Sequence, residues 1–215
     1  MTTIYLIRHS KKYGISNYES FNRSESDTIS SEKIILDVKG EKMAEALSNE
    51  KELDNLDKVY TSNCVRTLQT AKYIYEKQGL KPNVDERFDE RRVGIPNDKE
   101  YPDWFFRQFK DRNFKTEGGE GVNDVYNRFN EAFMEVVKNN SGKRVAIFTH
   151  GNAMAFFLTT VLDDYKITEN KDVILYHNNK EIFNGKFRFL ETFKLTVDEN
   201  GKIIDIENIE YNIDR

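Results

Sequence analysis

Apolar positions in this chain come in short, sharply bounded groups whose spacing changes from one stretch to the next. Residues 3–8, TIYLIR, are apolar almost throughout and then stop at polar sequence, which predicts a short buried strand. Residues 143–151, KRVAIFTHG, predict a second buried strand, feeding directly into a helix over NAMAFFLTTVL at 152–162. Between them lies a strand-like DKVYTSN at 57–63, followed by a helix at 64–79 that Gly79 ends. Met43, Ala44 and Leu47 recur at helical spacing behind Asp37, a residue suited to capping a helix N-terminus. Residues 122–140 predict a long amphipathic helix, and YPDWFFRQFKDRN at 101–113 a shorter one inserted between core elements. Residues 11–32 are polar and rich in Ser, Asn and Glu, which predicts a long loop or mobile cap, and residues 187–209 alternate by twos around Asn200-Gly201, which predicts a terminal β-hairpin.

Strands alternating with helices predict an α/β fold: a three-layer α/β/α sandwich with a mostly parallel central sheet, an inserted cap segment and a C-terminal hairpin. No repeat or low-complexity linker divides the 215 residues, so one domain over 1–215 is expected, with loop or cap segments at about 11–35 and 95–120.

Composition narrows the function classes. Hydrophobic residues at 38% and aromatics at 13% supply a real core, while a net charge of −4 argues against a nucleic-acid partner. One cysteine, Cys64, permits neither an internal disulfide framework nor a cysteine-rich metal site. Three histidines without HExxH-type spacing give no metal site, and no cofactor is expected. The start of the chain lacks the pattern of a signal peptide, and no apolar run reaches the length of a spanning helix. A cytoplasmic protein without a membrane partner is the expectation; nothing in the pattern sets its oligomeric state.

Candidate chemistry follows from where the histidines fall. His9 and His150 each stand at the C-terminal end of a predicted strand, the edge at which open α/β sheets bind ligands. His177, in the polar LYHNNK, reads as a surface or loop residue. Arg8 adjoins His9, and Arg66 lies in the first turn of a helix that follows a strand, where free N–H groups favour an anion. A guanidinium fork there matches phosphate oxygens. Two arginines and two histidines at one sheet edge predict a phosphate site.

The motifs in this order resemble the histidine phosphatase superfamily, also called the phosphoglycerate mutase-like family. Its RHG is echoed by Arg8-His9-Ser10, and its helix signature by Leu36, Gly40, Ala44 and Leu47. S-x-x-x-R-x-x-Q-T-A is intact as Ser62, Arg66, Gln69, Thr70 and Ala71. L-x-E-x-x-x-G maps onto Phe88, Glu90 and Gly94, GGE onto Gly118, Gly119 and Glu120, and the closing hydroxyl-H-G onto Thr149, His150 and Gly151, followed by Asn152. The resemblance runs from Ile4 to about Leu162.

That resemblance implies a phosphomonoester hydrolase working on a small phosphorylated metabolite without a metal. His9 would attack phosphorus, while Arg8, Arg66 and His150 bind the phosphoryl oxygens. The flanking arginines would also keep His9 neutral. Glu90 would be the acid, with Glu86 its competitor and Glu120 a fallback. Ser10, Asn17, Gly151 and Asn152 complete the implied phosphate contacts. Phosphoglycerate mutase-type phosphotransfer is the alternative, as is a phospho-ligand binding protein with little turnover. The segment after Gly94 does not match the mutases, which favours the phosphatase. Ser10 stands where the family carries glycine, so it is either strained or adds a contact through its hydroxyl. Lys11 and Lys12 replace the usual acid and hydroxyl residue, which suggests an anionic substrate.

Overall fold

The structure, a computed structural model, describes residues 1–14, 31–94 and 103–214. Six strands form one sheet in the order β3-β2-β4-β1-β8-β9: β1 (Thr2–Arg8), β2 (Lys58–Thr61), β3 (Pro82–Val84), β4 (Arg144–Thr149), β8 (Thr192–Val197) and β9 (Ile203–Ile209). β1 to β4 run parallel, and β8 and β9 are antiparallel additions beside β1. The β8–β9 connection is the hairpin expected at Asn200-Gly201, with Gly201 at φ 82°. Strand β8 starts only at Thr192, five residues later than the alternation suggests, because the chain first makes a turn at 188–191 that bonds to Arg8 at the end of β1.

Period-two burial in the central strands builds two cores. Ile4 and Leu6 of β1 join Val145 and Ile147 of β4 on one face; Tyr5 and Ile7 join Ala146 and Phe148 on the other. The first face is covered by helix α4 (Val122–Asn139) and helix α5 (Gly151–Val161). Val125, Phe129, Ala132, Phe133 and Val136 form the buried stripe of α4 at helical spacing. Each fully buried Phe or Val there contributes about 1.5–3 kcal/mol. The opposite face is covered by α1 (Val38–Leu47) through Met43 and Leu47, and by α2 (Val65–Lys77) through Ala71 and Ile74. The sandwich therefore has three layers.

Helix α1 starts where the sequence places it, because the Asp37 carboxylate accepts from the Gly40 N–H at 2.6 Å. Gly40 also explains the helix signature of the family. A Cβ on it would stand 2.0 Å from the Lys11 carbonyl oxygen, so only glycine lets α1 press against the loop that follows β1.

Two features depart from the sequence reading. A second sheet, β5-β6-β7 (Asp164–Ile167, Val173–His177, Lys180–Gly185), occupies a region for which no elements were expected. His177 is correspondingly not a surface or loop residue: it ends β6 and is buried, with Nδ1 3.4 Å from the Asp163 carboxylate. Of the two cap segments, residues 15–30 and 95–102 lie outside the described residues, and the predictions at Asn17 and at 101–102 fall there. The inserted aromatic helix is α3 (Trp104–Lys110), whose Phe109 packs edge-on to Phe156 of α5 at 5.7 Å.

No helix among the described residues is long and apolar enough to cross a membrane.

Candidate active site

Parallel pairing brings the candidate residues together. β1 and β4 run in register, Arg8 opposite Thr149, and the His9 N–H donates to the Thr149 carbonyl at 2.9 Å. His9 and His150 are thus the next residues along two adjacent strands, and their rings lie 5.2 Å apart. β2 continues the row, with the Ser62 N–H donating to the Phe148 carbonyl at 3.0 Å. Three strand ends therefore deliver Arg8-His9, His150 and Ser62 to one edge.

Helix α2 supplies the rest from a single face. Arg66, Gln69 and Thr70 stand at i, i+3 and i+4, so they point the same way. Thr70 Oγ1 accepts from the Ser10 N–H at 2.9 Å, and Gln69 Oε1 accepts from the Leu36 N–H at 2.8 Å. Buried Arg66 donates through Nη2 to His150 Nδ1 at 2.9 Å and through Nη1 to the Ser31 carbonyl at 2.7 Å. The spacing of S-x-x-x-R-x-x-Q-T-A is what ties α2 to the His9 loop, the 31–36 segment and His150 at once.

These bonds fix both imidazole tautomers. The His9 ring is 2.6 Å from the Ser10 carbonyl at Nδ1; a carbonyl only accepts, so Nδ1 carries the proton and Nε2 keeps its lone pair. At His150 the order is reversed. Arg66 can only donate, so Nδ1 accepts, and Nε2 donates to Ser62 Oγ at 2.7 Å. Cys64, Asp89 and His150 bring potential metal-ligand atoms within 4.8 Å of one another, but His150 has no spare lone pair for a cation. The Cys64 thiol is pushed up to about 11 by burial, and burial raises the Asp89 carboxyl to about 6.

Burial first, then the Arg66 charge, hold both His9 and His150 well below the ordinary histidine value. Arg8 adds to the effect at each. Both rings are therefore neutral at neutral pH. The same coupling makes folding acid-sensitive. The unfolded chain takes up these protons near pH 6.5 while the native fold refuses them, so the stabilisation is complete above about 6.5 and is lost as pH falls below it. Each histidine should lower stability by up to about 1.4 kcal/mol per pH unit in that range, with Asp89 acting the other way below about 6. Urea midpoints at pH 7.0 and 5.5 should show His9→Gln losing less stability than wild type on acidification; equal losses would refute the assignment.

Arg8 donates through Nη1 to the Phe187 carbonyl, and its guanidinium carbon lies 4.6 Å over the Phe189 ring. Gly151, the first residue of α5, lies against the same side chain: a Cβ on it would stand 3.3 Å from Arg8 Nε. The Nε atoms of Arg8 and Arg66 are buried and have no hydrogen-bond partner among the described residues. Asn152, the second residue of α5, is exposed.

Glu90 follows the short turn Glu86–Phe88, held in place by the Thr149 hydroxyl on the Phe88 carbonyl at 2.6 Å and by Arg128 on the backbone carbonyls of Arg87, Asp89 and Glu90. Its Oε1 accepts from the Ala153 N–H at 3.1 Å, in the first turn of α5, and from the Arg91 N–H at 2.9 Å. Both bonds fall on one oxygen. Glu86, the competitor, is exposed. Glu120 is buried, but its carboxylate receives Arg128 at 2.8 Å and the Arg92 N–H at 2.8 Å. Although burial opposes it, Arg128 holds Glu120 below the usual carboxylate range, so this residue ties two loops together.

Ser10 is buried without a positive φ, so it is not strained; its hydroxyl donates to the Gly40 carbonyl at 2.7 Å. Lys11 forms an ion pair with Asp37 at 3.0 Å. The contacts of Phe187 and Phe189 with Arg8 were invisible to motif reading, since they come from the far end of the chain.

The description Histidine phosphatase superfamily (branch 1) matches residues 4–181. Phosphoserine phosphatase 1 of Hydrogenobacter thermophilus is 31% identical over 124 residues, which cover 54% of this chain and 58% of that protein. The match thus spans little more than half of the relative. Among solved structures, Bacillus stearothermophilus YhfR superposes with a TM-score of 0.68 at 23% identity over 94% of each chain. A mycobacterial glucosyl-3-phosphoglycerate phosphatase does so with a TM-score of 0.65 at 18% identity over 99% of each. At those identities the likeness is one of fold.

Proposed function

Because the chain belongs to the histidine phosphatase superfamily, branch 1, we propose that it hydrolyses phosphomonoesters of small metabolites through a phosphohistidine on His9. The observation that carries this reading is the His9 tautomer: the proton is locked on Nδ1 by the Ser10 carbonyl, which leaves Nε2 as an unprotonated nucleophile between two arginines.

In the first step the Nε2 lone pair attacks phosphorus in line as the bond to the ester oxygen breaks. Arg8 and Arg66 take the charge of the equatorial oxygens, and Nδ1–H stays on the Ser10 carbonyl while the ring becomes a phosphoimidazolium. Glu90 gives its proton to the departing alkoxide, releasing an alcohol. In the second step the Glu90 carboxylate takes a proton from water as that water attacks phosphorus. The P–N bond breaks, inorganic phosphate leaves, and His9 returns to its neutral tautomer. Ser62 and Arg66 clamp His150 beside His9, and His150 in turn holds the Arg66 fork in place. A direct contact of His150 with an oxygen needs its Nε2–H to leave Ser62. The curated relative is named for phosphoserine, which agrees with a small phosphorylated metabolite as the substrate class.

The test is release of inorganic phosphate from a panel of small phosphomonoesters, with and without chelator and with and without a bisphosphate primer. Phosphate release that survives chelation and ignores the primer is expected. Primer-dependent formation of an isomeric monoester would instead mark a mutase, and loss of activity on chelation would overturn the metal-free scheme.

A further inference from the structure

We propose that Phe189 is a positioning residue for this reaction: delivered by a strained turn, its ring fixes the plane of the Arg8 guanidinium and screens the Arg8–His9 pair from water. The inference rests on the hydrolase reading and adds to it a residue outside the family match, which ends at 181.

The turn is closed on itself. The Glu191 N–H donates to the Arg188 carbonyl at 3.1 Å, and the Glu191 carboxylate accepts from the Arg188 N–H at 3.1 Å. That carboxylate is anchored to β9 by Asn208 Nδ2 at 2.9 Å, and the Glu191 carbonyl receives the Arg8 N–H at 2.9 Å. Leu190, third in the turn, sits at φ 60°, where turns of this kind ordinarily carry glycine or asparagine. A leucine in that conformation is unfavourable. It persists because its side chain is fully buried in the cluster that contains Tyr5 and Ile7.

The geometry produced by that turn is specific. While Leu190 is driven into the core, Phe189 is left partly exposed over the sheet edge, 4.6 Å from the Arg8 guanidinium carbon and 5.9 Å from the His9 ring. The Phe187 carbonyl holds Nη1 of the same guanidinium, and Gly151 lies against its Nε. A planar fork held at one nitrogen can still rotate; a ring set over its central carbon hinders that rotation. The strain is thus stored beside the reacting groups, where an unusual backbone most often serves function.

Phe189→Leu keeps an apolar side chain and removes the π face; Phe189→Ala also admits water. Both should lower kcat/KM for p-nitrophenyl phosphate about tenfold and weaken inorganic phosphate binding by a similar factor, the scale of a partly desolvated cation–π contact. The melting temperature of Phe189→Leu should stay near wild type. The chain has only three histidines, so the His9 ring, faced by Arg8, Arg66, Lys12 and His150, can be followed by NMR. Its titration should move upward in Phe189→Ala and stay in place in Phe189→Leu. Wild-type kinetics and phosphate affinity in Phe189→Leu would overturn the proposal, as would losses in both variants that simply track melting temperature. If wild type hydrolysed no phosphomonoester, the hydrolase reading would fail, while phosphate affinity and the His9 titration would still judge Phe189.

Discussion

His9→Ala should abolish turnover, lowering kcat by roughly 10^4-fold or more, the scale of losing a covalent nucleophile. The expectation rests on geometry that no neighbouring group can reproduce. His150 faces the same edge at a ring distance of 5.2 Å, but its Nδ1 is filled by Arg66 and its Nε2 bears a proton, so it has no lone pair to offer. Acid-quenched wild type incubated with a labelled monoester should carry acid-labile, alkali-stable phosphate, and His9→Ala should carry none. Truncation leaves the Ser10 carbonyl without its donor and opens a small cavity, a cost of about 1–3 kcal/mol that circular dichroism must show the fold survives. Label persisting in a folded His9→Ala protein would remove His9 from the mechanism.

Glu90→Gln should separate proton transfer from phosphoryl transfer. Glutamine keeps an oxygen for the Ala153 and Arg91 N–H groups, so the loop should hold its position while the ionisable proton is lost. For an alkyl phosphate, whose alkoxide leaves poorly, kcat should fall about 10^2–10^4-fold. For p-nitrophenyl phosphate, whose leaving group needs no proton, the first step should be nearly unaffected and the phosphoenzyme should accumulate. An equal fall in the rate of phosphoenzyme formation from both substrates would show that Glu90 serves the architecture alone.

Local patterns made the central features readable in the sequence. The runs at 3–8 and 143–151 could only be buried strands, and parallel pairing of those two runs is enough to set His9 beside His150. S-x-x-x-R-x-x-Q-T-A was readable because its Arg66, Gln69 and Thr70 each make a contact that helical spacing delivers. The β5-β6-β7 sheet escaped because its strands are short and its tightest turn is Asn178-Asn179, with φ of 51° and 60°, a weaker signal than Asn-Gly. Recognition of the Phe189 turn fails for another reason. Its partners lie some 180 residues earlier, and a leucine at φ 60° announces nothing in a sequence. Choosing Glu90 over Glu86 and Glu120 needed the family spacing, because composition cannot distinguish an exposed acid from one already held by Arg128.

The sheet order carries a consequence for how the protein is born. β1 is made well before either of its neighbours in the sheet, β4 and β8. Its first neighbour is about 140 residues away in the chain and its second about 190, so both edges of β1 stay unpaired until that later sequence is made. Arg8 gains its backbone acceptor on Glu191 only when that last stretch has docked. Such distant pairing is slow to form. The edge that carries Arg8 and His9 is therefore completed only by pairing with sequence far along the chain.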